Sequence, residues 1–111
     1  MSGIARVEVP TAFWRKRRSG AITDEDAAVL VQAFEWDWLG DAYAVVPVVD
    51  AVLTHAARLA ARHPLRAYDA VQLASALAAH AADPEISTFA CFDERLASAA
   101  RVEGLVTLPE P

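Results

Sequence analysis

The stretch LRAYDAVQLASAL, at residues 65–77, decides the fold of this chain. Its larger side chains, at Leu65, Tyr68, Leu73 and Leu77, recur near the 3.6-residue period of an α-helix, and alanine, the best helix former, fills many positions between them. Asp69 lies in the first turn of this predicted helix, where the helix dipole stabilises a carboxylate by about 0.3–1 kcal/mol. A helix-terminal role is therefore the ordinary interpretation of Asp69.

Two further acidic residues lie in comparable positions elsewhere in the chain. Glu8 is part of the segment ARVEV at residues 5–9, and Asp93 is part of FDERL at residues 92–96. Each follows a short apolar run, and each can open or enter a helix. Together with Asp69, they form a candidate set of three carboxylates.

The segment RAYDAVQLA at residues 66–74, followed by FDERL at residues 92–96, resembles the second half of a PIN domain. The similarity is greatest to the VapC-type toxins of bacterial toxin–antitoxin pairs, and it extends from Ile4 to about Leu108. Two motifs in this order and at this separation are a more specific signal than either motif alone. The resemblance implies one PIN-like domain over residues 1–111, with a three-layer α/β/α fold and a short parallel sheet.

The acidic residues suit the metal chemistry of such a fold. Ligands of a parallel α/β sheet bind beyond the carboxyl ends of its strands, where folding can bring Glu8, Asp69 and Asp93 together. Their like charges would repel unless a cation joins them, and oxygen ligands without neighbouring His or Cys suit Mg²⁺ or Mn²⁺. PIN domains use such acids to hold metal and cut RNA. The resemblance therefore assigns metal binding and catalysis to Glu8, Asp69 and Asp93.

Composition limits the classes of protein to which the chain can belong. A hydrophobic content of 55% over 111 residues indicates one globular domain with a modest core. The formal net charge of −5 argues against binding to nucleic acid through bulk charge, but a metal-dependent nuclease lets divalent ions meet the phosphates. The sequence has no signal pattern and no apolar run long enough to span a membrane. Its lone cysteine, Cys91, cannot form an internal disulfide, which fits a reducing compartment. The chain is therefore expected to be cytoplasmic.

The N-terminal part of the chain predicts two helices. The first starts near Gly3 or Ile4 with Ser2 as its cap and ends in the basic run at residues 15–18, and Pro10 predicts a kink or a restart within it. Thr23 predicts the cap of a second helix, whose apolar stripe ends in Phe34. Trp36 and Trp38 cannot share one face of this helix, so one is expected in the core and the other either as a surface anchor or where the helix unwinds.

The remainder alternates between predicted strands and helices. A short strand is expected at residues 44–48, followed by a helix from a cap at Asp50 to residues 62–64 and by the central helix to about Ala82. A buried strand at residues 86–92, a helix from Glu94 to about Val102 capped by Asp93, a turn at Gly104 and a strand at residues 105–108 complete the chain. This alternation is typical of α/β proteins with a parallel sheet.

Several cationic residues have two interpretations. Arg66 and Arg95 lie near the proposed ligand acids, so each can pair with a carboxylate or contact a phosphate, and pairing is the more ordinary choice. The basic run at residues 15–18 can contact RNA or form a solvated helix end. The three histidines lack zinc-type spacing and are expected on helix surfaces or ends; they are His55, His63 and His80.

The chain also departs from the PIN pattern. PIN domains begin with a strand that carries a first aspartate, and here the first two strands and the helix between them are expected to be missing. Three explanations are open: a misplaced start codon, a genuine remnant, or a chain that rearranges or assembles with a partner to complete its sheet. The resemblance implies a metal-dependent endoribonuclease of a type II toxin–antitoxin system, with RNA as substrate, a cognate antitoxin as inhibitor, a homodimeric state and no membrane.

Because one family acid is missing, weak or no activity is expected from the 111 residues. The alternative is a non-catalytic remnant that binds an antitoxin, or that dimerises through its alanine-rich helices and Trp36 or Trp38. A small helical regulator of DNA is disfavoured by the acidic balance and by the lack of a recognisable recognition helix.

Overall fold

The computed structural model describes all residues from 1 to 111 and contains five helices and a short parallel sheet. The elements are α1 (Ala5–Arg18), α2 (Asp24–Leu39), α3 (Asp50–Arg62), α4 (Ala67–Ala82), β1 (Thr88–Ala90), α5 (Glu94–Val102) and β2 (Val106–Leu108). The chain divides into two compact units. One unit is the helical pair Gly3–Val45, and the other comprises Met1–Ser2 with Val46–Pro111.

The helical pair is formed by α1 and α2, and its turn follows the predicted chemistry. Thr23 Oγ1 accepts a hydrogen bond from the Asp26 backbone N–H at 3.1 Å, and Asp26 Oδ2 accepts one from the Thr23 N–H at 3.2 Å. This reciprocal capping box satisfies two N–H groups that the helix leaves unpaired, which confirms the predicted start of α2. Arg17, in the last turn of α1, pairs with Asp24 across the same turn.

Helix α1 corrects the prediction of its cap and decides against one of the two alternatives predicted at Pro10. Its N-cap is Ile4, without a side-chain cap, while Ser2 is buried and forms an isolated parallel bridge with Val46. Pro10 lies within one continuous helix, so no restart occurs there. Pro10 is the sixth residue of α1 and therefore lies beyond the first turn. Because proline has no backbone N–H, α1 lacks one of its internal hydrogen bonds at this position.

The tryptophans of α2 take different environments, as predicted. Trp38 is partly buried and packs on Phe34, with ring centroids 5.7 Å apart, and Tyr43 lies 5.8 Å from Phe34. Trp36, two residues before Trp38, is 78% exposed. Residues two apart point to different sides of a helix, which explains the contrast.

The second unit has its core between α3 and α4. Leu59 on α3 and Leu73 on α4 are fully buried, and the side chains around them are small or β-branched. The other buried positions of the two helices are Val52, Ala56, Ala70, Val71, Ala74 and Ser75. Alanine at so many of these positions lets the helix axes lie close together. The predicted boundaries of α3 and α4 are confirmed to within two residues, although the cap of α3 is Val49 and not Asp50.

The sheet is smaller and more exposed than predicted. Strands β1 and β2 are parallel, with Thr88 opposite Val106 and Ala90 opposite Leu108, and α5 connects them. These four residues are exposed, so the strand predicted at residues 86–92 is present over Thr88–Ala90, but its predicted burial was wrong. The prediction of a strand at residues 44–48 was also wrong, because Val46 makes only the bridge to Ser2. Pro47 follows Val46 and has no N–H with which to continue the pairing.

A network of three side chains joins the C-terminal ends of α3 and α5. Arg62 donates to Glu103 Oε1 and Oε2 at 3.1 and 3.0 Å, and His63 Nε2 lies 2.8 Å from Glu103 Oε2. The His63 and Glu103 side chains are only 11% and 12% exposed. The hydrogen bond with His63, assisted by the charge of Arg62 and opposed by burial, holds the pKa of Glu103 below its ordinary value of 4.5.

This network predicts an acid-sensitive contribution to stability. Because the pKa of Glu103 is lower in the folded chain, the contribution is complete above the unfolded value of 4.5 and is lost as the pH falls through the lower folded value. Glu103→Gln is expected to lower the free energy of unfolding by about 1–2 kcal/mol at neutral pH. It should also make that free energy depend less on pH in the acid range. Urea titrations over a pH series measure both effects. Glu85→Gln, at an exposed glutamate without an ion pair, is the control and should change neither.

No helix of the structure is both long enough and apolar enough to cross a lipid bilayer.

Candidate acidic site at the start of two helices

An open pocket of about 500 Å³ lies where α4 begins and where β1 leads into α5. Its lining comes from both sequence motifs quoted above, which are separated by the second half of α4 and by β1. The lining residues are Pro64, Leu65, Arg66, Asp69, Phe92, Asp93, Glu94 and Arg95. The structure therefore brings Asp69 and Asp93 into one site, as the sequence predicted.

Local sequence explains why these residues meet at the pocket. Pro64 ends the preceding segment, and Arg66 is the extended N-cap from which α4 starts, so Asp69 falls in the first helical turn. Asp93 is the N-cap of α5, and its Oδ1 accepts a hydrogen bond from the Leu96 backbone N–H at 3.1 Å. Two helix N-termini thus border one pocket, and their dipoles favour an anionic ligand there.

Asp69 has an environment that differs from that of an ordinary ion-paired carboxylate. Its side chain is partly buried, accepts no hydrogen bond and forms no ion pair. Burial raises the pKa of Asp69 above its ordinary value of 3.8, the charge of Asp93 raises it further, and Arg66 opposes both. A carboxylate whose charged form is disfavoured by burial and by a neighbouring carboxylate is a candidate for a functional site.

Arg66 and Arg95 border the same pocket without an ion pair to either aspartate. Arg66 donates a hydrogen bond to the Tyr68 hydroxyl at 3.3 Å, and this contact is the main reason that the pKa of Arg66 is raised. Arg95 is exposed and makes no hydrogen bond or ion pair. Pairing with the ligand acids was the more ordinary expectation, and it was wrong. Both guanidinium groups can therefore contact an anion in the pocket.

Glu94 lines the pocket, but its charge already has a partner. Its carboxylate pairs with Arg101 at 2.6 Å, and Arg101 also donates to Thr107 Oγ1 at 2.9 Å. This chain of contacts joins α5 to β2. Glu94 is thus an exposed acid in the first turn of α5.

The carboxylates can be compared with the needs of a divalent ion. The structure contains no group of three or more His, Cys, Asp and Glu side chains that could hold a metal ion. Asp69 and Asp93 form a pair, while Glu8 belongs to α1 in the other compact unit, so the cluster of three acids stays a prediction. Mg²⁺ is commonly bound by one or two carboxylates together with water and substrate phosphates, and Asp69 with Asp93 fits this donor set.

Known proteins offer no match to this chain. Neither a protein-family model, nor a curated protein, nor a solved structure is similar to it at a significant level.

Two features of this unit were not anticipated from the sequence. Phe92 lies on the pocket rim with its side chain 98% exposed, although it belongs to a strongly apolar run. The sequence did contain one indication of this exposure. Phe92 comes immediately before the predicted helix cap Asp93, at a point where a strand has already ended. The contact of His63 with Glu103 joins residues 40 positions apart, and no local pattern indicates it.

Asp93 combines a capping role with its place in the site, and two substitutions separate these roles. Asp93→Ala removes the cap and the charge, and is expected to cost about 1 kcal/mol of stability. Asp93→Ser keeps a capping oxygen, so it should retain wild-type stability while losing the charge. If the pocket binds metal, both variants should lose Mn²⁺ binding. Thermal unfolding and titration calorimetry measure the two quantities, and equal stability of the two variants would contradict the capping role.

Proposed function

We propose that this chain is a metal-dependent endoribonuclease of the PIN and VapC type, and that it is a cytoplasmic toxin inhibited by a cognate antitoxin. The observation that carries the proposal is the shared pocket of Asp69 and Asp93, with Arg66 and Arg95 beside them. Two carboxylates with two unpaired guanidinium groups suit a phosphodiester that arrives with a divalent ion. The proposal includes the PIN-like three-layer α/β/α fold without its first two strands.

Four charged residues of the pocket have definite parts in this proposal. Asp69 and Asp93 would hold Mg²⁺ or Mn²⁺. When bound, the ion would supply positive charge against the scissile phosphate and would lower the pKa of a water molecule. Arg66 and Arg95 bind and orient the neighbouring phosphates through charge-assisted hydrogen bonds. The N-termini of α4 and α5 add favourable electrostatic potential for the RNA backbone.

RNA cleavage with and without divalent metal tests the proposal. The chain is expected to cut single-stranded RNA weakly in Mg²⁺ or Mn²⁺, and EDTA should stop the reaction. Weak turnover is expected because only two carboxylates of the proposed set, Asp69 and Asp93, share the pocket. Titration calorimetry with Mn²⁺ supplies a readout that does not require turnover. Cleavage that survives both Asp69→Ala and Asp93→Ala would overturn the proposal, as would the absence of both cleavage and Mn²⁺ binding.

A second candidate function is a non-catalytic module that binds an antitoxin or forms a homodimer. The observation that favours it is the exposed face of α2, where Val29, Ala33 and Trp36 recur at helical spacing. These residues line a groove of about 360 Å³ with Gln32 and Asp37. The acidic residues of α2 are Asp24, Glu25, Asp26, Glu35 and Asp37, and no basic residue accompanies them. Such a face suits a basic amphipathic segment.

Calorimetry and sedimentation separate the two candidates. A pure binding module should show no Mn²⁺ heat, and Trp36→Ala should weaken its association with a partner or with a second copy. A nuclease should show Mn²⁺ binding that Trp36→Ala leaves unchanged and that substitutions in the pocket remove.

A further inference from the structure

Phe92 is the most exposed large apolar side chain of the structure, and it stands on the rim of the acidic pocket. Its side chain is 98% exposed, whereas Phe89, three residues earlier, is partly buried. Its removal should therefore leave the core intact, since the ring makes almost no packing contact. An aromatic ring on the rim of a polar pocket can instead contribute to binding.

The backbone on both sides of Phe92 is held by hydrogen bonds. The Cys91 N–H donates to the Leu108 carbonyl oxygen at 3.0 Å, and Asp93 caps α5 through the Leu96 N–H at 3.1 Å. Phe92 is the single residue between these two anchors. Its ring is therefore presented from an ordered position, which reduces the entropy cost of using it as a contact surface.

The surroundings of Phe92 favour a nucleic acid over a protein partner. Most side chains that share the pocket are charged, and they include both cations and both aspartates of the site. Protein interfaces usually centre on contiguous apolar groups, and charged residues are depleted at their cores. An aromatic ring beside guanidinium groups is instead the combination that binds single-stranded nucleic acid, because the ring stacks on a base and the cations hold the phosphates.

We propose that Phe92 stacks on an unpaired base of single-stranded RNA, next to the phosphate that the pocket receives. This inference rests on the proposed function and adds to it a specificity-determining residue that contacts the base. Bases within an A-form duplex are already stacked on their neighbours and offer no free face to the ring. The site therefore selects unpaired RNA. The cations Arg66 and Arg95 contribute affinity without sequence preference, because they contact the backbone.

Fluorescence anisotropy with a short labelled oligouridylate in Mg²⁺ tests this inference, with cleavage followed on the same samples. Phe92→Ala is expected to raise the Kd and the KM about 10-fold, which corresponds to about 1.4 kcal/mol, and to leave kcat unchanged. Phe92→Trp should keep wild-type affinity, whereas Phe92→Leu should behave as the alanine variant because it has no π-face. Val102→Ala, at another exposed apolar residue of the same unit that lies outside the pocket, is the matched control and should bind as wild type.

Two further measurements distinguish stacking from charge. Phe92→Ala should leave the salt dependence of binding unchanged, whereas Arg95→Ala should lower its slope by about 1. A central 2-aminopurine in the oligonucleotide should lose fluorescence on the wild-type chain and should recover it with Phe92→Ala. The corresponding duplex should bind more weakly than the single strand, and its Kd should not respond to Phe92→Ala.

The outcomes separate this inference from the function on which it rests. If the wild-type chain binds and cuts RNA and Phe92→Ala does the same with an unchanged Kd, the inference is overturned and the nuclease stands. If the chain binds RNA through Phe92 but does not cut it, the inference stands and the nuclease fails. A chain that neither binds nor cuts single-stranded RNA contradicts both.

Discussion

Asp69→Asn is expected to remove Mn²⁺ binding and to lower metal-dependent RNA cleavage by about 100-fold or more. Loss of a residue that only supports a metal ligand already lowers metal affinity or activity by about 10–100-fold, and loss of a ligand should cost at least as much. Asparagine has nearly the same shape as aspartate, so the substitution removes charge and leaves the packing unchanged. The site would retain Asp93 as its single acid, with Arg66 and Arg95 beside it. Calorimetry and RNA cleavage measure the two effects.

The same variant has a second expected result that a purely structural aspartate would not give. The pKa of Asp69 is raised in the folded chain, so its contribution to stability is largest when the group is protonated and falls as the pH rises through the folded pKa. Asp69→Asn imitates the protonated form. It should therefore raise the unfolding temperature of the metal-free chain at neutral pH, while removing the stabilisation that Mn²⁺ gives to wild type.

The matched control for Asp69 is Asp50, which occupies the first turn of α3 and lies outside the pocket. Asp50→Asn loses a comparable interaction with a helix dipole, so it should be slightly destabilising and should keep Mn²⁺ binding. If Asp69→Asn lowers the stability of the metal-free chain at neutral pH, the electrostatic description of the site is wrong. If it retains Mn²⁺ binding, the metal does not bind at this pocket.

Leu73→Ala is expected to have the largest effect on stability, with a cost of about 2–5 kcal/mol. Leu73 is fully buried in the core of its unit, one helical turn beyond Asp69 on α4. Its truncation removes buried apolar surface and leaves a cavity between helices whose alanines cannot fill it. A loss of this size is a large part of the 5–15 kcal/mol that holds a typical domain folded.

Leu53 supplies the control for this second prediction. It lies on α3 but is 45% exposed, so Leu53→Ala removes less buried surface and should cost below about 1 kcal/mol. Denaturant titrations of both variants give the comparison. If Leu53→Ala lowers the free energy of unfolding as much as Leu73→Ala does, the assignment of Leu73 to the core and of Leu53 to the surface is wrong.

The helix boundaries were predictable because their signals are local. The cap at Thr23, the cap at Asp93 and the turn at Gly104 each depend on residues within one helical turn, and the structure confirms all three. The pairing of Asp69 with Asp93 in one pocket also followed from sequence, because helix starts and strand ends tend to gather at one edge of an α/β sheet.

The remaining features depend on contacts between distant residues. An apolar run such as residues 86–92 indicates burial only if another layer covers it, and here Phe92, Val106 and Leu108 stay exposed. The bridge of Val46 with Ser2 and the contact of Glu103 with His63 join residues about 40 positions apart. Helical periodicity and capping patterns contain no information about such pairs.

The two compact units contain different natural probes of unfolding, tryptophan in one and cysteine in the other. All three tryptophans, at positions 14, 36 and 38, belong to Gly3–Val45, while the lone Cys91 belongs to the unit that contains the acidic pocket. Burial raises the pKa of the Cys91 thiol, so alkylation at neutral pH should be slow until that unit opens. Indole emission and thiol trapping along one denaturant series would therefore follow the two units separately, and overlapping curves would mean that they melt as one cooperative body.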